Sequence, residues 1–471
     1  MENIQWLEEV TKRKESILED LFRQLRIPSV REDDKATEDA PVGPGPKAAL
    51  EDFMAMAKED GFTTKQYGPW AGRVEFGEGE ELLGILGHLD VVPVGTGWET
   101  DPFEPQIIDE KIYARGSSDD KGPTIAAYHA IKLLLELGVK FNKRIHLIIG
   151  TDEESGWQCM DHYFAEAEMP DFGFSPDGNF PIINGEKGNV SAIITQSDQT
   201  KVEGDYHLVS LNAGLRANMV PQDCDAVVQG ADLETLAEAF DSFVKEHPNH
   251  LKGSYEIESD QITFHLVGKA AHGSTPHVGV NAATHLSQFL VNYTFDQQDA
   301  NHLVQMLSHQ LYEGFDGSGI GVNHTHDVMG ELSMNVGVVN YQDRKGMDIN
   351  VNFRYPEGTN PERIHEGMKK ALTEYSLSIE MGEAKEPHYV PADDPMVETL
   401  LQVYENQTGE KGYEKTIGGG TYGRLMPRGV AYGALFPDST DTMHQANEFF
   451  SVSDLLRCTA IYAEAIYRLT R

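Results

Sequence analysis

Residues 85–95 read ILGHLDVVPVG and set a charged pair, His88 and Asp90, between aliphatic runs. A run this apolar reads as a buried strand, and strands buried on both faces belong to parallel sheets covered by helices. The surrounding periodicity predicts helices over 4–25, 47–60 and 122–139 and strands over 82–87, 106–114 and 144–150, the last being RIHLIIG. This alternation implies an α/β fold whose central, mostly parallel sheet is flanked by helices. Just past NGEKG, which ends at Gly188, the texture changes. Alternating strands (VSAIITQ, YHLVSLN, QITFHLVG) are interleaved with helices over 233–246 and 361–376, as in an inserted α+β domain. EPHYVPADDP then reads as an extended connector, and a helix over 452–470 returns to the first domain. The expected organisation is a first domain from 1–187 and 384–471, interrupted by an insertion over 188–383. APVGPGP at 40–46 reads as a surface loop.

Composition removes whole classes of function. The 471 residues suffice for two to three domains with substantial cores. Lys and Arg total 38 against 76 Asp and Glu, a formal charge of -38, so neither nucleic acid nor an anionic membrane is an expected partner. The first 25 residues lack an uninterrupted apolar run and predict an amphipathic helix instead of a secretory signal. Nowhere does an uncharged stretch approach the length that spans a bilayer. Three scattered cysteines without CxxC spacing disfavour both a disulfide framework and a thiolate metal site, and a reducing cytoplasm is expected.

The chemistry gathers at the ends of the predicted strands. His88 and Asp90 stand at i and i+2, so a carboxylate can support an imidazole, although a satisfied polar pair at a strand end has the same sequence. RGSSDDKGP places Asp119 and Asp120 just before a predicted helix, where a helix cap is the plain alternative. TDEESG puts Asp152, Glu153 and Glu154 at the C-terminal edge of the sheet, where ligands of open α/β folds bind. SPDG offers Asp177, which an ordinary Asp-Gly turn also explains, and STDTMHQANEF offers His444. Each signal is modest alone. Together they supply two imidazoles and several carboxylates with no thiolate, a donor set too large for one catalytic ion and suited to two divalent ions. A two-metal hydrolase is the expected activity.

This ordered set, GHLDVVP, SSDDKG, TDEESG, SPDG and the late histidine, resembles the dinuclear metallopeptidases that include aminoacylases, desuccinylases and glutamate carboxypeptidases. Length, spacing, SPDGNFPIINGEKG and GGGTYGR resemble most closely the PepV-type bacterial dipeptidases. The resemblance implies that His88 and Asp177 ligate one ion, Glu154 and His444 the other, and Asp119 bridges both, with Asp120 a one-residue alternative. It implies that Asp90 orients His88 and that Glu153 is the general base. Zn²⁺ is the implied ion, with Mn²⁺ or Co²⁺ compatible with the same donors. It also places His272 of GKAAHGSTP over the metals as an oxyanion donor, a role that residue type alone does not support among 18 histidines.

Substrate recognition is expected from Arg354 of NFRYPEG, whose guanidinium can grip a peptide carboxylate, and from Asn218 of LRANMVP. A surface ion pair and a turn asparagine are the plain alternatives. Backbone N–H groups of Gly418, Gly419 and Gly420 can approach an anion, while the stretch lacks the lysine and spacing of a nucleotide-binding loop. The large insertion is the expected lid, and by the resemblance it covers the site within one chain, so a monomer acting on small peptides is expected. Unblocked dipeptides, Xaa-His and β-alanyl ones among them, are the expected substrates. An N-acyl amino-acid deacylase and a catalytically inactive metal-binding homologue are the alternatives, and retention of Glu153 argues against the second.

Overall fold

The computed structural model describes residues 4–198, 200–247 and 251–471. Two compact units emerge: Met1–Gly185 with Tyr389–Lys415 and Gly420–Arg471, and Glu186–His388 with Thr416–Gly419. The second unit thus reaches a few residues past 383 and takes in a short piece of the segment that the sequence assigned to the first.

The first unit is built on a six-stranded sheet. Its strands are β1 (Thr63–Tyr67), β2 (Ala71–Phe76), β3 (Leu82–His88), β4 (Arg144–Gly150), β5 (Phe172–Ser175) and β6 (Gly429–Ala431), in the order β1-β2-β4-β3-β5-β6. The β4-β3-β5-β6 portion is parallel, and β1 and β2 run antiparallel at one edge. All seven residues of β3 are buried, as its aliphatic sequence requires. One face packs Leu83, Ile85, Leu147 and Ile149 into the main core, and the other packs Leu86 and Ile148 against Tyr163, Tyr422 and Met426. Around the sheet lie α1 (Trp6–Thr11), α2 (Lys14–Leu25), α3 (Pro44–Glu59), α4 (Lys121–Glu136) and the helix Val452–Leu469, which packs on α4.

Several local expectations are corrected. The helix expected over 4–25 is broken at Lys12–Arg13 into α1 and α2. The strand expected over 106–114 is a hairpin, Gln106–Ile108 and Lys111–Tyr113, which turns on the left-handed Asp109 and Glu110. APVGPGP is not wholly loop, because Pro44 starts α3 from the position where a missing N–H costs nothing. The helix expected over 361–376 ends at Ala371, followed by a 3₁₀ turn at Thr373–Tyr375.

The second unit carries an eight-stranded antiparallel sheet in the order Lys252–Glu258, Gln261–Val267, Asp223–Gly230, Tyr206–Ala213, Ser333–Gln342, Gly346–Tyr355, Gly188–Gln196 and Ser378–Met381. Helices Leu233–Glu246, Ala282–Leu290 and Gln298–His309 bury Phe240, Phe289 and Leu303 in its core. Strand Gly188–Gln196 alternates buried and half-buried residues, the pattern of a sheet covered on one side.

Candidate active site

The C-terminal ends of the parallel strands supply the site. His88 is the last residue of β3 and is fully buried. Gly87 precedes it, and a Cβ there would stand 2.1 Å from the Thr124 hydroxyl and 3.1 Å from an Asp120 oxygen. The missing side chain lets Asp120 reach the strand, where one carboxylate oxygen accepts the His88 amide (3.2 Å) and the Thr124 hydroxyl (2.8 Å). Asp120 therefore braces the strand, and it makes no side-chain cap bond to α4. Lys121 is also structural: its buried amine donates to the Gln24 and Ile27 carbonyls at 2.9 and 2.8 Å, and burial pushes its pKa down to about 7. β4 delivers Glu153 and Glu154, β5 delivers Asp177, and the loop before the last helix delivers His444 in a left-handed conformation (φ 61°). Asp152, beside them in sequence, is turned away and held by Arg31 (2.6 Å) and the Gln158 amide (3.1 Å).

These side chains meet around Asp119. One Asp119 oxygen lies 3.2 Å from His88 Nε2 and the other 2.9 Å from His444 Nε2, so the carboxylate spans the two imidazoles. His88 Nε2 also lies 3.8 Å from Asp177, and His444 Nε2 lies 3.1 Å from Glu154. Ligand atoms of His88, Glu153 and Asp177 converge within 4.8 Å of one another, as do those of His88, Asp119 and Glu154. His88, Asp119, Glu153, Glu154, Asp177 and His444 are thus brought together.

The donor set fits divalent cations on two grounds. His88 Nδ1 donates to the Asp90 carbonyl (2.9 Å), an atom that can only accept, so Nε2 is the nitrogen left to bind an ion. That Nε2 is buried without a hydrogen-bond partner among the carboxylates. The second ground is electrostatic. Burial, then the neighbouring Asp119, pushes Asp177 and Glu154 up to about 7, and burial with Asp177 drives Glu153 well above the usual carboxylate range. Burial opposes the charging of Asp119 too, but His444 and His88 hold it well below that range. Hydrogen bonds that the imidazole donates to Asp119 and Glu154 raise His444 to about 11, and Asp119 and Asp90 raise His88 against the cost of burial. The clustered carboxylates thus demand positive charge, which divalent ions held by these residues would supply.

Asp90 does more than support His88. Its two carboxylate oxygens accept the Glu153 and Glu154 amides at 3.1 Å each, while one of them stands 3.4 Å from His88 Nδ1. Its backbone carbonyl, at 2.9 Å, is the closer partner of the imidazole. Three further residues escaped the sequence reading. Tyr422 packs its ring edge-on to His88 and Trp157 and lies 2.9 Å from the Cys159 sulfur. Arg115 and Glu448 form a buried ion pair (2.7 Å) beneath the loops of Asp119 and His444. Their signal was an arginine opening RGSSDDKGP and a glutamate four residues past His444, each beside small or apolar residues.

The remaining candidates belong to the second unit, apart from Gly420. His272 is exposed, and its Nδ1 accepts the Ser274 amide at 3.2 Å with the Ser274 hydroxyl at 2.7 Å, which places its proton on Nε2. Asn218 is exposed on the adjoining loop, where its carbonyl accepts the Gly273 amide (2.7 Å). Arg354 is buried at the end of its strand and donates to the Gly418 carbonyl (2.7 Å) and Asn352 (3.1 Å). Gly418 lies so close to Ser274 that a Cβ would stand 2.4 Å from it. No helix among the described residues is long and apolar enough to cross a membrane.

Comparison with known proteins agrees with this architecture. Residues 84–468 match the family described as "Peptidase family M20/M25/M40". A protein of Staphylococcus epidermidis named "Putative dipeptidase" is 44% identical over 467 residues, 98% of this chain and 99% of that one. A Staphylococcus saprophyticus protein named "Putative dipeptidase SSP1012" has the same identity and coverage. Among solved structures, the dipeptidase Dug1p of Saccharomyces cerevisiae aligns over 98% of both chains with TM-score 0.56 at 14% identity. Aminoacylhistidine dipeptidase of Vibrio alginolyticus aligns over 97% of this chain and 96% of its own, also with TM-score 0.56 and 14% identity. At that identity these structures speak for the fold alone. The family match over most of the chain and the full-length relatives establish that the chain belongs to peptidase family M20/M25/M40 and is a peptidase.

Proposed function

We propose that this peptidase is a two-metal dipeptidase acting on unblocked dipeptides. The observation that carries the reading is Asp119, with one carboxylate oxygen beside His88 and the other beside His444. A carboxylate so placed suits sharing between two ions, one held by His88 and Asp177 and the other by Glu154 and His444. Zn²⁺ is our assignment, and Mn²⁺ and Co²⁺ fit the same nitrogen and oxygen donors. When bound, such ions acidify water and polarise a peptide carbonyl. Glu153 then takes the proton of the attacking water and returns it to the departing amine. His272 offers its Nε2–H to the developing oxyanion. Arg354 grips the substrate carboxylate, and Asn218 and the N–H groups of Gly418, Gly419 and Gly420 complete the substrate contacts. The names of the staphylococcal relatives support dipeptides as the substrate class. We further propose a cytoplasmic monomer with no nucleic-acid or membrane partner.

Metal analysis of wild type and Glu153→Ala, joined to a panel of free dipeptides, tripeptides and N-acetylated dipeptides, tests the reading. Two ions per chain are expected in both proteins, free dipeptides are expected as the preferred substrates, and the variant is expected to lose at least about 100-fold in turnover. Preference for N-acetylated substrates replaces the dipeptidase with a deacylase. Near-normal turnover in Glu153→Ala removes that residue from the role of base.

A further inference from the structure

Arg115 and Glu448 are each 1% exposed, and a buried ion pair costs several kcal/mol of desolvation per ion unless its remaining valences are used. Here all but Arg115 Nε are used, on the metal-ligand loops. One Glu448 oxygen accepts the amides of Ser118 (2.8 Å) and Asp119 (3.1 Å). The other accepts the amide of Gly116 (3.1 Å) and Arg115 Nη1 (2.7 Å). Arg115 then donates to the carbonyls of Gln445 (3.1 Å), Pro93 (3.2 Å) and Val94 (3.4 Å), and its guanidinium lies 5.2 Å from the Trp98 ring centre. The Glu448 carbonyl accepts the Ala114 amide at 3.2 Å. Three loops are tied together: the one that leaves β3 after His88, the one that carries Asp119, and the one that carries His444.

We infer that Glu448, held by Arg115, is a positioning residue that sets the separation of Asp119 and His444 and so tunes the ion those two residues share with Glu154. The inference rests on the two-metal reading above. Glu448 lies four residues from His444 and accepts the backbone amide of Asp119 itself, so a shift of its carboxylate moves two of the three ligands of one ion. The partners of the other ion are anchored elsewhere. His88 is fixed by β3 and the Asp90 carbonyl, and Asp177 follows β5. The clamp therefore acts most on the ion of His444, which it reaches through two ligands, and less on the ion of His88, which it reaches through the shared Asp119 alone; a general contribution to folding makes no such distinction.

Titration of the metal-free full-length protein with Zn²⁺, followed by calorimetry, tests this with a readout independent of turnover. Wild type is expected to bind two ions. Glu448→Gln keeps the size of the side chain but replaces one acceptor with a donor facing Arg115 and Gly116. It is expected to weaken the ion of His444 by roughly 10- to 100-fold, the range for partners that orient metal ligands, and the ion of His88 by clearly less. Arg115→Lys keeps the charge, loses the fork that reaches Gln445, Pro93 and Val94, and is expected to produce the same uneven loss. It decides the matter if Glu448→Gln fails to fold by circular dichroism. Equal weakening of both ions, or of neither, overturns the inference. A wild-type protein that binds fewer than two ions overturns the two-metal reading instead and takes the inference with it.

Discussion

Replacing Asp90 with asparagine separates the support of His88, which the resemblance implied for this carboxylate, from its hold on the Glu153 and Glu154 amides. The side chain is 2% exposed, and each of its oxygens accepts one amide, from Glu153 or Glu154, at 3.1 Å. Asparagine keeps one acceptor and turns a donor toward the other amide, leaving one buried N–H unpaired. That costs about 1 to 3 kcal/mol, equivalent to roughly 5- to 150-fold if it all falls on the transition state. His88 is insulated from this change, because its Nδ1–H is received by the Asp90 backbone carbonyl, which the substitution leaves in place. The expected result in Asp90→Asn is a total cost of about 1 to 3 kcal/mol divided between a stability loss in urea and a fall in kcat of at most roughly 150-fold. The ion at His88 should keep its affinity within about threefold, because its tautomer is preserved. Steady-state kinetics, urea titration and calorimetric metal binding on the same preparation make the comparison. A variant with unchanged kcat and a weakened first ion would refute the reasoning, because the carboxylate would then act through His88 and not through the Glu153–Glu154 loop.

Three other outcomes follow from the geometry. His272→Ala should lower kcat by roughly 100- to 1,000-fold with metal content unchanged, and a variant that instead loses a metal ion would show that the imidazole is not an oxyanion donor. Arg354→Lys should raise KM for free-carboxylate dipeptides by roughly 10-fold or more and leave C-terminally amidated ones little changed, since only the former can use the guanidinium fork; equal losses on both would exclude a carboxylate grip. His146, buried in β4, is pushed down to about 4 by burial and by Arg73. The folded chain holds it neutral while the unfolded chain titrates near 6.5, so its penalty is absent above pH 6.5, grows as pH falls toward 4, and levels off below that at about 3 kcal/mol or less. The stability difference between His146→Gln and wild type should change across pH 6.5 to 4, and a constant difference over that window would contradict the burial argument.

Patterning carried most of the site. β3 and β4 are legible because their side chains are aliphatic on both faces, and a polar residue that ends such a strand has few places to be except the sheet edge where ligands collect. Glu153, Glu154 and Asp177 are legible for the same reason. His444 was counted among the donors, but its assignment to one ion came only through resemblance, because nothing in a loop histidine at the far end of the chain reports the fold that returns it. The division of labour among adjacent acids was not legible either. Asp119 faces the imidazoles, Asp120 braces β3 and Asp152 pairs with Arg31, and these differ by backbone direction and not by residue type. The Arg115–Glu448 pair was hidden because its two halves lie far apart in sequence and each half, read alone, looks like a surface charge.

The wide spacing of the ligands has a consequence for synthesis. His88, Asp119, Glu153, Glu154 and Asp177 all lie in the first 177 residues, whereas His444 arrives about 270 residues later. At ribosomal rates this interval lasts on the order of tens of seconds. Throughout it the nascent chain holds its acids without the histidine that closes them, and β5 lacks its neighbour β6. On the two-metal reading, a chain released before His444 is made would carry metal-seeking carboxylates without a finished active centre.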